Sequence, residues 1–387
     1  MSIWNAPPTH VDVVIVGGGL VGSSLAYHLA DRGIECCLME RDVLACGASG
    51  RNDGQIILET ADYYTNMKEV YGSPEAFKIL TFKREGQKGT DALLHEMGDH
   101  PGLAYHQAGS LTLAFNDAEA KLIEKASREM ERDGFAVQLL DCDQIESRIQ
   151  TRRFAMGKLD RYDATVNPAE MTRVIAAEAR RKGALVFEGC PVTEVGSGQV
   201  THKWGKTECE VVILATNAYT AQLMPEFENL VYPIRGQVLA STPSDVRIKP
   251  YGCITNFGYD YWHWTPEGRI ILGGRRFVDE HGETGYEDLI NEDVQKALEG
   301  LFGEMYPQLG ELEVDHRWSG TMGFSKDGKP LVGPIGGDPT LLCAVGFTGY
   351  GLGMCWSAGQ ALAEVLNDEK SPLTDILPIF SPGRFSN

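Results

Sequence analysis

A glycine-rich turn near the start of the chain has the spacing that binds the phosphates of a dinucleotide. Residues 17–22 have the sequence GGGLVG and fit the pattern G-x-G-x-x-G. In that pattern Gly17 permits a tight turn, Gly19 lets backbone N–H groups approach the pyrophosphate, and Gly22 lets a helix pack closely on a strand. Glu40 follows about 20 residues later, where a carboxylate accepts hydrogen bonds from ribose hydroxyls and disfavours a 2′-phosphate. A glycine-rich turn without a ligand is the alternative.

The segments around this turn supply the scaffold that such a site needs. Residues 11–16 are rich in β-branched side chains and predict a buried strand that stops at the glycines. Residues 20–32 have helical periodicity and precede Gly33, a residue favoured after a helix C-terminus. Residues 34–39 predict a second buried strand, which Glu40 ends. Together they form one βαβ unit, with the helix N-terminus aimed at the phosphates.

Further α/β elements recur later in the chain, on both sides of a segment of a different kind. Asn116 and Asn167 are predicted to cap two helices, which end before Gly134 and Gly183. Between about residues 231 and 276, short strands with Gly/Pro turns and many aromatic residues predict an antiparallel sheet. The other predicted strands are residues 184–188, 192–195, 211–215 and 341–345, the last of which precedes a glycine-rich turn and a helix to about residue 366.

Composition and charge argue against several classes of protein. The 387 residues are 43% hydrophobic and 23% charged, which is typical of a globular protein of two or three domains. The net charge of −19 disfavours nucleic acid or an anionic membrane surface as a partner. No run approaches the roughly 18 apolar residues of a membrane span, and residues 1–12 show no secretory signal. Nine cysteines without a CxxC pair predict reduced thiols, a cytoplasmic location and no metal site.

Five motifs spread over nearly the whole chain resemble those of one enzyme family. They are VDVVIVGGGLVGSSLAYHLADRG, the ASGRNDGQ loop, LATNAY, WSGTMGFSKDGKPLVG and GFTGYGLGMCWSAGQ. Together they resemble the D-amino-acid oxidase superfamily of FAD enzymes, in particular its glycine and sarcosine oxidase branch. The GRNDGQ and ATNAYT details are most similar to gamma-glutamylputrescine oxidoreductase-like amine oxidoreductases. The motifs are specific to the superfamily but not to a substrate.

The resemblance implies an α/β fold with a Rossmann-type FAD-binding domain and an inserted antiparallel-sheet substrate domain. The FAD-binding domain would be discontinuous and would comprise residues 1–85, 160–220 and 326–387. The substrate domain would comprise residues 86–159 and 221–325.

The same resemblance implies that FAD is bound without a covalent bond. Sarcosine oxidases attach the flavin through a cysteine, and the matching position here is Gly320. Independently of the resemblance, residues 346–351 would bring backbone N–H groups close to the ring of a bound flavin. The N-terminus of a helix from about Leu352 would then stabilise negative charge on the reduced flavin. A glycine-rich start of a helix without a ligand is the alternative. The predicted FAD-binding residues are Gly17, Gly19, Leu20, Val21, Gly22, Glu40, Arg41, Ser49, Arg51, Asn52, Gly54, Gln55, Val192, Ala215, Thr216, Gly346, Thr348, Gly349, Tyr350, Gly351 and Leu352.

Three residues that hold the substrate carboxylate in related enzymes have no counterpart in this chain. The resemblance places Met322 where glycine and D-amino-acid oxidases have an arginine, and Gly353 and Leu58 where sarcosine oxidases have a lysine and an arginine. Burying a free carboxylate against the apolar Met322 would cost on the order of several kcal/mol. The expected substrate is therefore an amine without a carboxylate next to the reacting carbon, or one whose acid is distant.

Four further residues are candidates for contacts with the substrate. Tyr261 matches the tyrosine that glycine oxidase presents to its substrate, and His263 is one strand period away on the same face. Arg275 matches a substrate-side histidine of sarcosine oxidase and is the candidate for an anionic group, whereas Arg276 is expected to face the other way. Tyr350, in the last glycine-rich motif, completes the set. Packing in an aromatic sheet is the alternative for Tyr261 and His263, and a solvated arginine is the alternative for Arg275.

The implied function is oxidation of a C–N bond in an amine or amino acid. A hydride would leave the carbon next to nitrogen for flavin N5, and water would hydrolyse the resulting imine. Oxygen is the expected electron acceptor, giving hydrogen peroxide. No side-chain base is obligatory, so no catalytic acid or base is assigned. The alternatives are a dehydrogenase that passes electrons to a quinone or a protein, a flavin monooxygenase that needs NAD(P)H, and a non-catalytic flavoprotein subunit.

Overall fold

Two eight-stranded sheets and the helices around them make up a mixed α/β structure. The computed structural model describes residues 6–98, 100 and 102–385, so residues 1–5 and 386–387 of the predicted FAD-binding segments lie outside the described residues. No helix in these ranges is both long and apolar enough to cross a bilayer. The α-helices are α1 (Leu20–Asp31), α2 (Ala48–Arg51), α3 (Tyr64–Tyr71), α4 (Ser73–Met97), α5 (Asp117–Arg132), α6 (Cys142–Ile149), α7 (Pro168–Arg181), α8 (Thr220–Leu223), α9 (Glu292–Met305), α10 (Cys355–Leu366) and α11 (Pro372–Ile376).

The first sheet is mainly parallel and gathers strands from the start, middle and end of the chain. Its order is β17-β18-β11-β1-β2-β8, and the hairpin strands β9 and β10 join it at β11. The register pairs Val13 of β1 with Cys36 on one side and Val211 on the other. The predicted βαβ unit is therefore confirmed. The strands are β1 (His10–Val16), β2 (Cys36–Met39), β8 (Leu185–Phe187), β9 (Val192–Gly196), β10 (Gln199–His202), β11 (Gly205–Leu214), β17 (Leu331–Ile335) and β18 (Asp338–Val345).

Helices α1, α7 and α10 pack together beside the first sheet. The two predicted caps are confirmed, because Asn116 accepts a hydrogen bond from the Glu119 backbone and Asn167 accepts one from the Glu170 backbone. The expectation of an α-helix from Leu352 is wrong by one turn. A short 3-10 turn at Gly351–Gly353 comes first, and α10 begins at Cys355.

The second sheet carries most of the aromatic segment and has the order β16-β12-β15-β14-β13-β4-β6-β5. Its pairings are antiparallel, as predicted, except that β13 runs parallel to β4, with Cys253 opposite Leu111. Its core includes Trp262, Trp264 and Tyr306, all buried. The strands are β4 (Ser110–Leu113), β5 (Val137–Asp141), β6 (Met156–Asp160), β12 (Val231–Ser241), β13 (Gly252–Thr255), β14 (Asp260–Trp264), β15 (Ile270–Gly274) and β16 (Val314–Ser325).

A two-stranded ribbon pairs β3 (Gln55–Ile56) with β7 (Ala164–Thr165), next to the loop that follows α2.

The domain boundaries remain a prediction. Helix α4 runs through the predicted boundary at residues 85/86, and β6 runs through the one at 159/160.

Candidate functional site

The glycine turn between β1 and α1 can be built only from glycines at two of its positions. Gly17 has a φ of +112°, and a Cβ there would lie 2.7 Å from the carbonyl oxygen of Ala215. A Cβ at Gly22 would overlap the carbonyl oxygen of Gly17. Gly19 has no side chain that could cap α1, so the N–H groups of its first turn are open to an anion, except that of Leu20, which donates to Ser49 Oγ. The turn therefore has the shape and polarity that a pyrophosphate requires.

Glu40 lies beside this turn, directly after β2, as predicted. Its carboxylate accepts hydrogen bonds from the backbone N–H of Gly18 at 2.6 Å and of Asp42 at 2.8 Å. Asp42 and Cys46 complete a group of three possible metal ligands within 4.8 Å of one another. The Glu40 oxygens already have donors, and burial raises the pKa of the Cys46 thiol, so this group is poorly suited to a cation. It fits the ribose end of a dinucleotide better.

The loop after the βαβ unit connects the turn to a cavity. Ser49 Oγ accepts a hydrogen bond from the Leu20 backbone at 2.8 Å, which ties the loop to the start of α1. Arg51 donates to the carbonyl oxygen of Cys46 at 2.7 Å and forms an ion pair with Asp288 at 2.7 Å. Asn52 is held by the carbonyl oxygen of Ala48 at 2.8 Å.

A cavity of about 290 Å³ lies between this loop, the glycine-rich segment before α10 and the second sheet. Gly320, which faces it from β16, has no room for a larger side chain, because a Cβ there would lie 2.9 Å from Arg51 Cβ. No cysteine lines the cavity in the described part of the chain. The predicted FAD and substrate residues that line it are Arg51, Asn52, Gln55, Tyr261, Met322, Thr348, Gly349, Tyr350 and Leu352.

The other predicted FAD-binding residues do not line the cavity. Ala215 contacts the turn at Gly17, and the Gly346 backbone donates to Asn217 at 2.9 Å. Arg41 stacks on Tyr219, with 4.9 Å between its guanidinium and the ring centroid. Val192, at the start of β9, is half-buried against the core. The residues outside the cavity lining are Gly17, Gly19, Leu20, Val21, Gly22, Glu40, Arg41, Ser49, Gly54, Val192, Ala215, Thr216, Gly346 and Gly351.

Tyr261 and Met322 face the cavity from β14 and β16 of the second sheet. A Cβ at Gly236 of β12 would lie 3.1 Å from Met322 Cε and 3.4 Å from the Tyr261 hydroxyl, so this glycine makes room for both. Tyr350 also lines the cavity, and its hydroxyl packs against Gly258. Burial raises the pKa of both tyrosines, which keeps them as neutral hydrogen-bond donors.

His263 does not line the cavity, although strand alternation predicted that it faces the same side as Tyr261. It is 7% exposed, with Nδ1 3.4 Å from the Trp264 carbonyl oxygen. Burial lowers the pKa of His263 to about 4, so the ring is neutral. Its place next to the backbone of Asp53 makes it a packing residue of the loop.

The two consecutive arginines are placed the opposite way from the expectation. Strand β15 ends at Gly274, and Arg275 has a φ of +55°, so strand alternation no longer decides where the side chains point. Arg275 turns to Asp260, with 3.5 Å between Nε and the carboxylate. Arg276 lines the cavity instead, with its guanidinium 5.4 Å from the Tyr259 ring centroid and 5.1 Å from that of Phe324. Its side chain forms no hydrogen bond or ion pair with any described residue.

The cavity lining includes two further ionisable residues, Lys83 and Asp53, which the sequence motifs did not predict. Lys83 of α4 is fully buried, lies 4.9 Å from the Tyr350 ring centroid and donates to the Glu59 carbonyl oxygen. Burial lowers the pKa of Lys83 to about 7. The available signal was its helical spacing from Ile79 and Leu80 on the buried face of α4. The other residue is Asp53, which lies in the ASGRNDGQ motif but is not among the residues predicted to bind FAD or the substrate.

Comparisons with known proteins agree with this geometry. A family model described as "FAD dependent oxidoreductase" matches residues 12–365. The chain is 26% identical to gamma-glutamylputrescine oxidoreductase of Escherichia coli K12, over 92% of this chain and 84% of that protein. It is 24% identical to glycine oxidase of Bacillus licheniformis, over 92% of both. The fold is similar to that of L-proline dehydrogenase from P. horikoshii, with a TM-score of 0.84, 21% identity and 98% coverage of both chains.

Proposed function

This chain belongs to the family of FAD-dependent oxidoreductases, and from that premise we propose that it oxidises a C–N bond of an amine or amino acid to an imine. The observation that carries the proposal is the cavity, in which Tyr261 and Met322 face the glycine-rich segment at residues 346–353. Bound FAD supplies the hydride acceptor for such a reaction. The imine would be released and hydrolysed by water.

The residues present fit FAD in an extended conformation. The turn at residues 17–22 and the start of α1 would hold the pyrophosphate, and Glu40 would accept hydrogen bonds from a ribose. The loop at residues 49–55 and the segment at 346–352 would border the ring. Binding is proposed to be non-covalent, because Gly320 stands at the attachment position and none of the described lining residues is a cysteine.

The walls of the cavity orient the substrate and exclude water. The hydroxyls of Tyr261 and Tyr350 are two neutral donors in these walls. Met322 offers no charge, whereas the Arg276 guanidinium has N–H donors that no described residue accepts. The substrate that suits this arrangement is an amine whose carboxylate, if it has one, can reach Arg276.

Oxygen is the proposed electron acceptor, giving hydrogen peroxide, because glycine oxidases are among the relatives. A dehydrogenase is the second candidate, supported by the similarity to L-proline dehydrogenase. The proposed compartment is the cytoplasm, since all nine cysteines are free thiols.

The direct test is an anaerobic screen of amines and amino acids against the FAD-loaded protein, following the flavin absorbance. A substrate is expected to bleach the flavin, and admission of air is expected to restore the colour with formation of hydrogen peroxide. Bleaching without peroxide would identify the dehydrogenase, and substrate-dependent NADPH consumption would indicate a monooxygenase. A flavin that dithionite reduces but no amine bleaches would contradict the proposal.

Two adjacent arginines provide a matched pair of variants. Arg276→Ala is expected to raise KM for a carboxylate-bearing substrate by roughly 10- to 100-fold, because a charge-assisted contact is lost. Arg275→Ala, outside the cavity, is expected to leave KM within about threefold of the wild-type value. The reverse order of effects would contradict the assignment of Arg276.

A further inference from the structure

Asp53 is an acidic residue in the wall of the cavity, and the reaction proposed above assigns it no role. It lies in the loop between α2 and β3 and lines the cavity together with Tyr261 and Tyr350. Gly54 follows with a φ of +80°, and a Cβ there would overlap the Val166 carbonyl oxygen. The backbone next to Asp53 is therefore fixed against β7 and the start of α7.

The carboxylate of Asp53 is held from the second sheet. Gln55 Nε2 donates to Asp53 Oδ2 at 2.5 Å, and the same nitrogen lies 3.2 Å from the Cys253 carbonyl oxygen and 3.3 Å from that of Trp262. Because Gln55 is 7% exposed and anchored on β13 and β14, it has little freedom to move. The carboxylate is positioned before any substrate arrives.

No cation among the described residues compensates this carboxylate. Its hydrogen bonds come from Gln55 and the backbone, and desolvation by burial raises the pKa of Asp53 to about 6. The side chain is then mostly ionised near neutral pH, in a cavity where an isolated charge is costly. A cationic ligand group would offset that cost.

The groups around Asp53 leave few alternatives for a proton acceptor. His263 has its pKa lowered to about 4 by burial, and burial raises the pKa of the tyrosine and cysteine neighbours. Arg276 also lines the cavity, and its positive charge would repel a cationic amine. Among the described lining residues, Lys83, whose pKa burial lowers to about 7, is the alternative proton acceptor. The titratable and charged residues that line the cavity with Asp53 or surround it are Arg51, Lys83, Cys253, Tyr259, Tyr261, His263, Arg276 and Tyr350.

We propose that Asp53 binds the positively charged nitrogen of the substrate and accepts one of its protons before the C–N bond is oxidised. This inference rests on the proposed function. The N–H bond of the ammonium breaks, its proton goes to Asp53 Oδ, and its electron pair stays on nitrogen. The neutral amine then loses a hydride from the adjacent carbon to FAD, which leaves an iminium ion. Two electrons and two protons leave the amine in total, one proton to Asp53 and one within the hydride.

The test separates amine binding from turnover by using a probe that cannot be oxidised. The carbon next to nitrogen in tert-butylammonium carries no hydrogen, so this cation binds without reacting, and tert-butanol is its neutral counterpart. In the FAD-loaded enzyme, Asp53→Asn is expected to weaken tert-butylammonium at least about 30-fold and tert-butanol less than about threefold. Asp143→Asn, an exposed acid on α6, removes the same charge from the surface and is expected to change neither.

Two measurements keep the result independent of the folding of the variant. In the wild-type enzyme, tert-butylammonium affinity is expected to fall as the pH drops through about 6, because Asp53 is then protonated. The wild-type kcat/KM for the best amine is expected to rise with pH through the same value, and Asp53→Asn is expected to lose that limb.

Three outcomes would overturn the assignment. Equal binding of the cation in wild type and Asp53→Asn would exclude an ionic contact. Loss of FAD affinity alone would place Asp53 on the cofactor. A pH limb near 6 that survives Asp53→Asn but disappears in Lys83→Met would make Lys83 the proton acceptor. If amines fail to bleach the wild-type flavin while the cation still binds in an Asp53-dependent way, the proposed reaction fails and the binding site stands.

Discussion

Replacing Glu40 by alanine is the sharpest test of where the dinucleotide binds. Glu40 is 9% exposed, and its two oxygens accept the backbone N–H groups of Gly18 and Asp42 at 2.6 and 2.8 Å. The side chain therefore shapes the glycine turn, and in the proposed binding mode it would also present a carboxylate to the ribose. Glu40→Ala removes the acceptor from the two backbone donors and, in that binding mode, from the ribose hydroxyls.

The magnitude follows from the number and charge of these hydrogen bonds. A hydrogen bond to a charged group contributes about 1.5–3 kcal/mol, and the ribose contacts act as one coupled pair. Losing that pair is expected to cost about 2–3 kcal/mol of FAD binding, or roughly 30- to 150-fold in Kd. Glu40→Gln retains one acceptor oxygen and loses the charge, so about a tenfold loss is expected.

The assay is titration of the apoprotein with FAD, following the quenching of flavin fluorescence. Glu35→Ala is the matched control, because Glu35 is an exposed acid directly before β2. At saturating FAD, turnover by Glu40→Ala is expected to be close to that of the wild type, since Glu40 does not line the cavity. A Kd for Glu40→Ala within about threefold of wild type would refute the ribose assignment.

Two further predictions concern stability. Arg235 and Glu283 form an ion pair at 2.9 Å with side chains 3% and 0% exposed, so Glu283→Gln is expected to lower the free energy of unfolding in urea by about 3–5 kcal/mol. The exposed Glu280→Gln serves as its control, and equal stability of both variants would contradict the prediction. The pKa of Lys83 is lowered from 10.5 to about 7, so the folded state binds fewer protons than the unfolded state between these values and its stability rises with pH there. Lys83→Met is therefore expected to raise the free energy of unfolding of the apoprotein above that of the wild type at about pH 6.5. This difference is expected to be about 3 kcal/mol smaller at about pH 9.5. A difference that does not change with pH would argue against a lowered pKa of Lys83.

Local signals in the sequence were sufficient for the βαβ unit and the dinucleotide turn. One continuous segment contains strand β1, the three glycines and Glu40. Their spacing along the sequence is therefore enough to predict their positions relative to one another. The family motifs extended this prediction to the lining residues Tyr261, Met322 and Tyr350.

The errors arose where geometry depends on a break in regular structure or on distant segments. The swap of Arg275 and Arg276 follows from one positive φ after the end of β15, which periodicity does not reveal. The parallel pairing of β4 with β13 joins residues about 140 apart, and alternation within each strand carries no information about that partner. Lys83 reaches the cavity because Gly353 has no side chain, since a Cβ there would lie 2.7 Å from Lys83 Cε.

The strand order of the first sheet has a consequence for the order in which the protein is made and folds. Val14 of β1 pairs with Val212 of β11, and Val212 in turn pairs with Leu341 of β18. The glycine turn at residues 17–22 leaves the ribosome early. Strand β11, which pairs with β1, and the glycine-rich segment at residues 346–353, which borders the cavity, leave it much later. During about the first half of synthesis, β1 and β2 can therefore pair only with each other and lack their outer neighbours β11 and β8, which favours slow folding and association with chaperones. We therefore expect FAD to bind after the first sheet has assembled.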